Sequence, residues 1–303
     1  MIQTTVSIAQ IYTDHFCEAS SLKSYGESGI LHYVIWKNSS VIQLKDAPFF
    51  YRDNIIGQNH VKEIRLFVGK NKKAREPVIN YLFHNTGILL CIQRLDSTGN
   101  LVQRDSLLYD DHYIARNAMF FNSNGLCRKD TFIYQRDGRI HEIKPLFSNL
   151  INDSGQRIIF TYNPVDHTFL SEIYVNNTTR SNEIVTYLVR TDDFPGKILQ
   201  TTRTDNNNGV EQFSFFEYGI SGNSCLIHGF EVHSQQVYVL PVIKMIFNKN
   251  HELEKKISTG KKIRPVETNT YTAEGLLQKT IIYEFDKRNK RSDLKYEYEY
   301  KYY

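Results

Sequence analysis

The chain has little that would hold it together by covalent or metal chemistry. Its four cysteines, Cys17, Cys91, Cys127 and Cys225, are scattered over 303 residues. With no Cys-x-x-Cys pair and no histidine at ligand spacing, a zinc ribbon is excluded and no metal is expected. The cysteines read as small buried apolar residues. A Cys91–Cys127 bridge would require neighbouring strands, and Cys127, beside Arg128 and Lys129, would have a lowered thiol pKa if exposed. Tryptophan occurs once and alanine is scarce, a balance that disfavours helices. No apolar run approaches the length of a bilayer-spanning helix, and Met1-Ile2-Gln3 opens no basic-then-apolar signal segment. Charge of one sign is missing too: 37 Lys and Arg against 33 Asp and Glu leave +4, too little to specify a nucleic-acid partner. The basic runs at Lys70–Lys73 and Lys287–Arg291 read as solvated turns. The expectation is a soluble protein, cytoplasmic, or periplasmic if a leader has been cut away.

What the chain does have is aromatic residues and polar turns. Tyrosine occurs 20 times and phenylalanine 18 times, beside many Ile, Val and Thr, which favours strands. From Tyr81 to Lys144 one unit recurs: an aromatic or large apolar residue, three polar residues, Gly, then an aliphatic. It reads Phe83-His84-Asn85-Thr86-Gly87-Ile88, then Leu95 to Leu101 around Gly99. It returns as Phe121 to Leu126 around Gly125, and as Tyr134-Gln135-Arg136-Asp137-Gly138-Arg139-Ile140. Glycine supplies the positive-φ position of a hairpin turn, and the flanking apolar residues end and begin strands. A step is missing at Asp110-Asp111-His112, which has the polar character but no glycine. Weaker copies lie around Gly155, Asn163, Gly196, Gly209, Asn250 and Gly275.

Two further stretches show their faces. Leu294 to Tyr302 alternates strictly, with Tyr296, Tyr298, Tyr300 and Tyr302 on one face and charges on the other. Val237 to Ile243 is apolar on both faces and reads as sheet interior, with Pro241 imposing a bulge or an edge. The fold class expected is all-β and mostly antiparallel, a repetitive meander of long hairpins forming a large curved sheet or an open barrel or half-barrel. A short amino-terminal helix over residues 6–19 competes with a strand there. The organisation expected is an amino-terminal β-rich cap over 1–80 and a repeat region over 81–303.

The units at Tyr134–Ile140 and Tyr271-Thr272-Ala273-Glu274-Gly275-Leu276 resemble the YD repeat of Rhs-type and teneurin-type proteins. The resemblance covers roughly residues 81–303 and departs from the family where Gln135 and Thr272 replace the second-position Asp. It implies long β-sheet wraps, and a role in bacterial competition systems.

No catalytic constellation is present. Asp110, Asp111 and His112 combine carboxylates and an imidazole, but their place in a repeat turn explains them by turn chemistry. His141 and Glu142 are strand neighbours that point to opposite faces, as are His228 and His233 at odd spacing. The expectation is therefore a non-enzymatic protein-binding protein without a cofactor. Its partner would be another protein, and its most specific form an immunity or adaptor protein of a bacterial toxin or secretion system. Tyr296, Tyr298, Tyr300 and Tyr302 are the candidate binding residues, since tyrosine offers rigid contact area with a polar tip. The alternative is a β-barrel or half-barrel carrier of a small ligand, lipid or carbohydrate.

Overall fold

The computed structural model describes residues 53–70, 76–136, 138, 140–148, 157–163, 168–175, 178–188, 197–205, 210–221, 224–233, 236–239, 242–249, 252–259, 264–285 and 291–303. The expected helix over 6–19 and most of both basic runs lie outside these residues. Among them is one short helix, α1 (Asp53–Gln58), and nineteen strands in one sheet. The strands are β1 (Val61–Lys70), β2 (Glu76–Phe83), β3 (Leu89–Leu95), β4 (Leu101–Tyr109), β5 (Ala115–Asn122), β6 (Gly125–Tyr134) and β7 (Ile140–Ser148). There follow β8 (Arg157–Asn163), β9 (Thr168–Val175), β10 (Thr178–Leu188), β11 (Lys197–Asp205), β12 (Val210–Ser221) and β13 (Ser224–His233). The last six are β14 (Gln236–Val239), β15 (Ile243–Phe247), β16 (Leu253–Ser258), β17 (Arg264–Tyr271), β18 (Leu277–Phe285) and β19 (Arg291–Tyr302).

Every pairing among the described strands is antiparallel, and nearly all join strands consecutive in sequence, as a hairpin meander requires. The pairing also makes a circuit, because β19 pairs with β18 on one side and with β1 on the other. Its thinnest join is β7 to β8, where only Glu142–Ile159 and Ile143–Ile158 face each other. Among the described residues the ladder begins at Val61, inside the stretch expected as an amino-terminal cap.

Period-two alternation decides which side is buried. One row runs Tyr300, Ile64, Tyr81, Ile92, Asp105, Phe120, Arg128 across seven strands, each residue facing the next. From Ile64 to Arg128 every member is buried. The adjacent row on the other face reads Glu299, Arg65, Asn80, Gln93, Arg104, Phe121. There the Arg104 guanidinium lies 4.3 Å from the Phe121 ring centre. Each buried aliphatic or aromatic side chain contributes about 1.5–3 kcal/mol, which is what sets the register.

The buried face also carries charge, in pairs. Arg128 and Asp130 meet at 2.7 Å with side chains 2% and 0% exposed, and Lys256 meets Glu267 at 2.7 Å. Such pairs offset, rather than exceed, the cost of removing ions from water.

One expectation is corrected here. The stretch from Val237 is not sheet interior: all four residues of β14 are exposed, Val237 at 66% and Val239 at 71%. The reason lies in the ladder. Val239 faces Phe230 and Ile243 faces Ile227, so four steps on one strand oppose three on the other. The ladder on β13 thus passes from β14 to β15 out of step, and both alternating faces of β14 meet solvent while Ile243 of β15 is buried; Pro241 lies outside the described residues.

Candidate functional site

In the meander, the hairpins β2–β3, β4–β5, β6–β7, β15–β16 and β17–β18 turn at one end, with the start of β1 and the close of β19. The hairpins β3–β4 and β5–β6 turn at the other. Among the described residues, the hairpins of the first end share one repeated turn. The amide of its fourth residue donates to the carbonyl of its first at 2.9–3.1 Å in 84–87, 110–113, 135–138 and 272–275. In 84–88, 110–114, 248–252 and 272–276 the first residue's amide donates to the carbonyl of the fifth. The fourth position needs positive φ, and Gly87, Gly138 and Gly275 adopt 81–85° there. Tyr113 occupies that position in the missing-glycine step, at φ 59°.

The first position needs an acceptor. Asp110 Oδ1 accepts from the amides of His112 at 3.0 Å and Ile114 at 2.9 Å, and its Oδ2 meets Arg116. Asp96, at the opposite end, does the same toward Thr98 and Asn100. The amide bond from Ile114, with the Arg116 contact, holds the Asp110 carboxyl below the usual range. Asp110 is thus fully used in shaping its turn, while Asp111 and His112 are exposed beside it. Among the described residues no group of three or more His, Cys, Asp or Glu could hold a metal ion.

A second device at the first end was not legible as a unit in the sequence. Tyr109 Oη donates to the Leu89 carbonyl at 2.6 Å, Tyr134 to Ala115 at 2.5 Å, and Tyr271 to Leu253 at 2.9 Å. Tyr300 donates likewise to Leu277. In each case the acceptor lies five residues after the first residue of the neighbouring turn. The tyrosine that closes one strand therefore caps a carbonyl beside the adjacent turn, and successive hairpins are stapled together.

This geometry places the four candidate tyrosines. Tyr296, Tyr298 and Tyr300 lie on the buried side of β19, opposite Val68, Leu66 and Ile64. Burial drives the Tyr298 and Tyr300 hydroxyls well above the usual phenol range. Tyr302 is 54% exposed, and Tyr303 follows it at 59% with its hydroxyl donating to the Phe83 carbonyl. The neighbouring His84 ring sits 5.2 Å from that of Tyr113, which is 51% exposed. The backbone of α1 closes on the same turn, since a Cβ on Gly57 would fall 2.6 Å from the Thr86 carbonyl oxygen. An aromatic corner results, formed by Tyr113, His84 and Tyr303.

Cys91 is buried, as its reading as a small apolar residue expects, and Cys127 is half-buried, while the condition for a bridge between them is not met. Cys91 and Cys127 are free thiols on β3 and β6, which are not paired strands. Burial, with the nearby Asp105 carboxylate, raises the Cys127 pKa, so the thiol is not activated there. His141 is exposed, whereas Glu142 is half-buried and lies 3.6 Å from Arg157.

No protein-family model and no curated protein matches the chain. Among solved structures, a porin-like protein from Bacteroides uniformis is similar at 12% identity and a TM-score of 0.40, covering 80% of this chain and 97% of that one. The likeness is too loose to carry a function across. No helix among the described residues is long and apolar enough to cross a membrane.

Proposed function

We propose that the protein is a non-enzymatic protein-binding protein, with an immunity or adaptor role in a bacterial toxin or secretion system as its most specific form. The observation that carries the binding role is β14. Residues 234–243 contain no charge in a chain that is 23% charged, yet Val237 and Val239 are largely exposed and Tyr238 is 47% exposed. Exposed apolar side chains on a short strand suit recognition by another polypeptide, where apolar anchors supply most of the affinity. The outward positions of β1 and β19 support an aqueous setting for these strands. They carry Glu63, Arg65, Lys295, Glu297, Glu299 and Lys301, the reverse of a lipid-facing band. A carrier role finds less support, since the buried face holds Asp105, Arg128, Asp130 and Lys256 rather than a purely apolar lining.

The test is affinity capture from native extract, then reconstitution with the purified partner and titration calorimetry. The double variant Val237→Lys, Val239→Lys should lose at least about tenfold in affinity while keeping its unfolding midpoint. Undiminished binding by that variant would overturn the assignment to β14, and failure of any purified protein to bind would overturn the binding role.

A further inference from the structure

The far edge of β14 has no strand beside it among the described residues. β14 and β15 lie end to end along one edge of β13, and β16 pairs with β15 alone on that side. β16 ends with Ser258 opposite Ile243, and Thr259 closes on the Val242 carbonyl at 2.9 Å. β14 extends beyond that point. Its backbone decides what can fill the edge. His233 and Gln236 face each other across the two residues that join β13 to β14. A pair closing so short a hairpin exchanges both hydrogen bonds, and by alternation Glu231 and Tyr238 do the same. The N–H and C=O groups of Val237 and Val239 therefore point away from β13, into the open edge.

We propose that β14 is a strand-addition site, which takes an extended, uncharged segment of another polypeptide as the next strand of the sheet. This rests on the binding role of β14 and specifies how its partner is held. Outward donors and acceptors at alternate residues are met together by a second extended backbone. The side chains sort by face: Val237 and Val239 lie on one, while on the other Tyr238 donates to Gln236 at 2.6 Å. An incoming strand thus meets aliphatic groups at every second position and a polar pair between them. Sheets guard free edges with lysine or another charge, whereas residues 234–243 carry none. The edge is left unguarded, and it offers no partner to a charged residue.

Size selects a short segment over a folded partner or a second copy. The four residues of β14 fall far short of the roughly 20–30 per side of a stable protein interface. A segment held mostly by main-chain hydrogen bonds needs no such area, and its binding is weak and reversible.

The probe is the acetylated, amidated peptide Thr-Val-Thr-Val-Thr, titrated against the full chain by fluorescence anisotropy up to about 1 mM, the range of weak binding. The wild type should bind it saturably. Val239→Pro removes an N–H on the open edge, so the urea midpoint should hold while affinity falls about tenfold. Val239→Ile keeps that N–H and should bind as the wild type does. N-methylation of both peptide valines, which lie opposite Val237 and Val239, should abolish binding to the wild type. Methylation of the central threonine, whose amide points outward, should cost little. Absence of saturable wild-type binding would overturn strand addition and leave the binding role of β14 to the capture experiment. Loss in Val237→Lys, Val239→Lys, with Val239→Pro and the valine-methylated peptide undiminished, would show contact by side chains alone. That too overturns strand addition and spares β14 as a surface. Binding unaffected by every variant and by methylation would overturn both. A wild type whose sedimentation mass doubles, and whose Val239→Pro variant stays monomeric, would put a second copy on the edge and overturn the proposal equally.

Discussion

The two ends of the sheet are made from the same hairpin and held by different means. At the second end, the 96–100 turn is self-contained: Asp96 accepts from Thr98 and Asn100, Gly99 takes the positive-φ position, and Leu95 closes the strand. At the first end each turn is similar inside, but tyrosines at the strand ends bind the carbonyls of neighbouring hairpins. A local turn fixes the register of two strands. A stapled turn also fixes one hairpin against the next, which makes that end the natural place for a rigid surface.

The largest test of the comparison removes the strand that carries the first end across the circuit. Deleting residues 291–303 takes away the partner of both β18 and β1. The cooperative thermal transition followed by circular dichroism should disappear. Survival of a sharp transition would mean that the remaining ladder is stable without its closing strand.

A smaller effect is expected inside the wall. Lys256→Ala removes the 2.7 Å ammonium from Glu267, which keeps its bond from Asn269 at 2.9 Å, so the loss is that of a hydrogen bond to a charged group, about 1.5–3 kcal/mol. Urea unfolding reads this directly, and replacing both residues by apolar ones should recover much of the loss.

The staple itself can be removed without touching the turn. Tyr109→Phe and Tyr134→Phe each leave a partly buried carbonyl unmet, at about 1–3 kcal/mol apiece. Leu95→Ala at the second end removes packing but no staple. Hydrogen exchange should show the two tyrosine variants loosening the neighbouring hairpin, β2–β3 or β4–β5, and the leucine variant loosening only its own.

The smallest effect is set by pH and is common to both ends. Hydrogen bonds from the Thr98 side chain and from the Thr98 and Asn100 amides lower the Asp96 pKa in the folded protein, as the Ile114 amide and Arg116 lower that of Asp110. A depressed folded pKa contributes stability above the unfolded value, near 3.9, and that stability is lost as pH falls through the folded value. The urea midpoint should therefore decline below about pH 4, and Asp96→Asn should flatten the decline. An unchanged slope would show that the turn carboxylates are not held by their folded contacts.

Much of this architecture is legible in the sequence because turn chemistry is local. Gly87, Gly99, Gly125 and Gly138 mark their turns, and even the glycine-free step at Asp110 forms where its polar residues stand. The alternation from Leu294 to Tyr302 names a strand with one buried face. What is illegible depends on contacts about twenty residues apart. Nothing in Tyr109 or Leu89 alone shows that one caps the other, because that requires knowing which strands pair. The exposure of Val237 and Val239 is hidden for the opposite reason: an apolar run reads as interior, and nothing in its own residues shows that neither face of β14 is covered. The aromatic corner combines both, since Tyr113 is a departure from the repeat that takes its meaning from His84 on another hairpin.

The pairing of β1 with β19 has a consequence for how the protein is made. The Glu63–Lys301 contact spans 238 residues, so a ribosome adding about 5–20 residues per second holds β1 ready for roughly 10–50 s before its partner strand exists. Throughout that interval the edge of β1, with Ile64 and Leu66 behind it, is an open template for a neighbouring nascent chain. Yield in the cell should therefore depend on translation speed and on chaperones that occupy strand edges, more than on the stability of the finished wall.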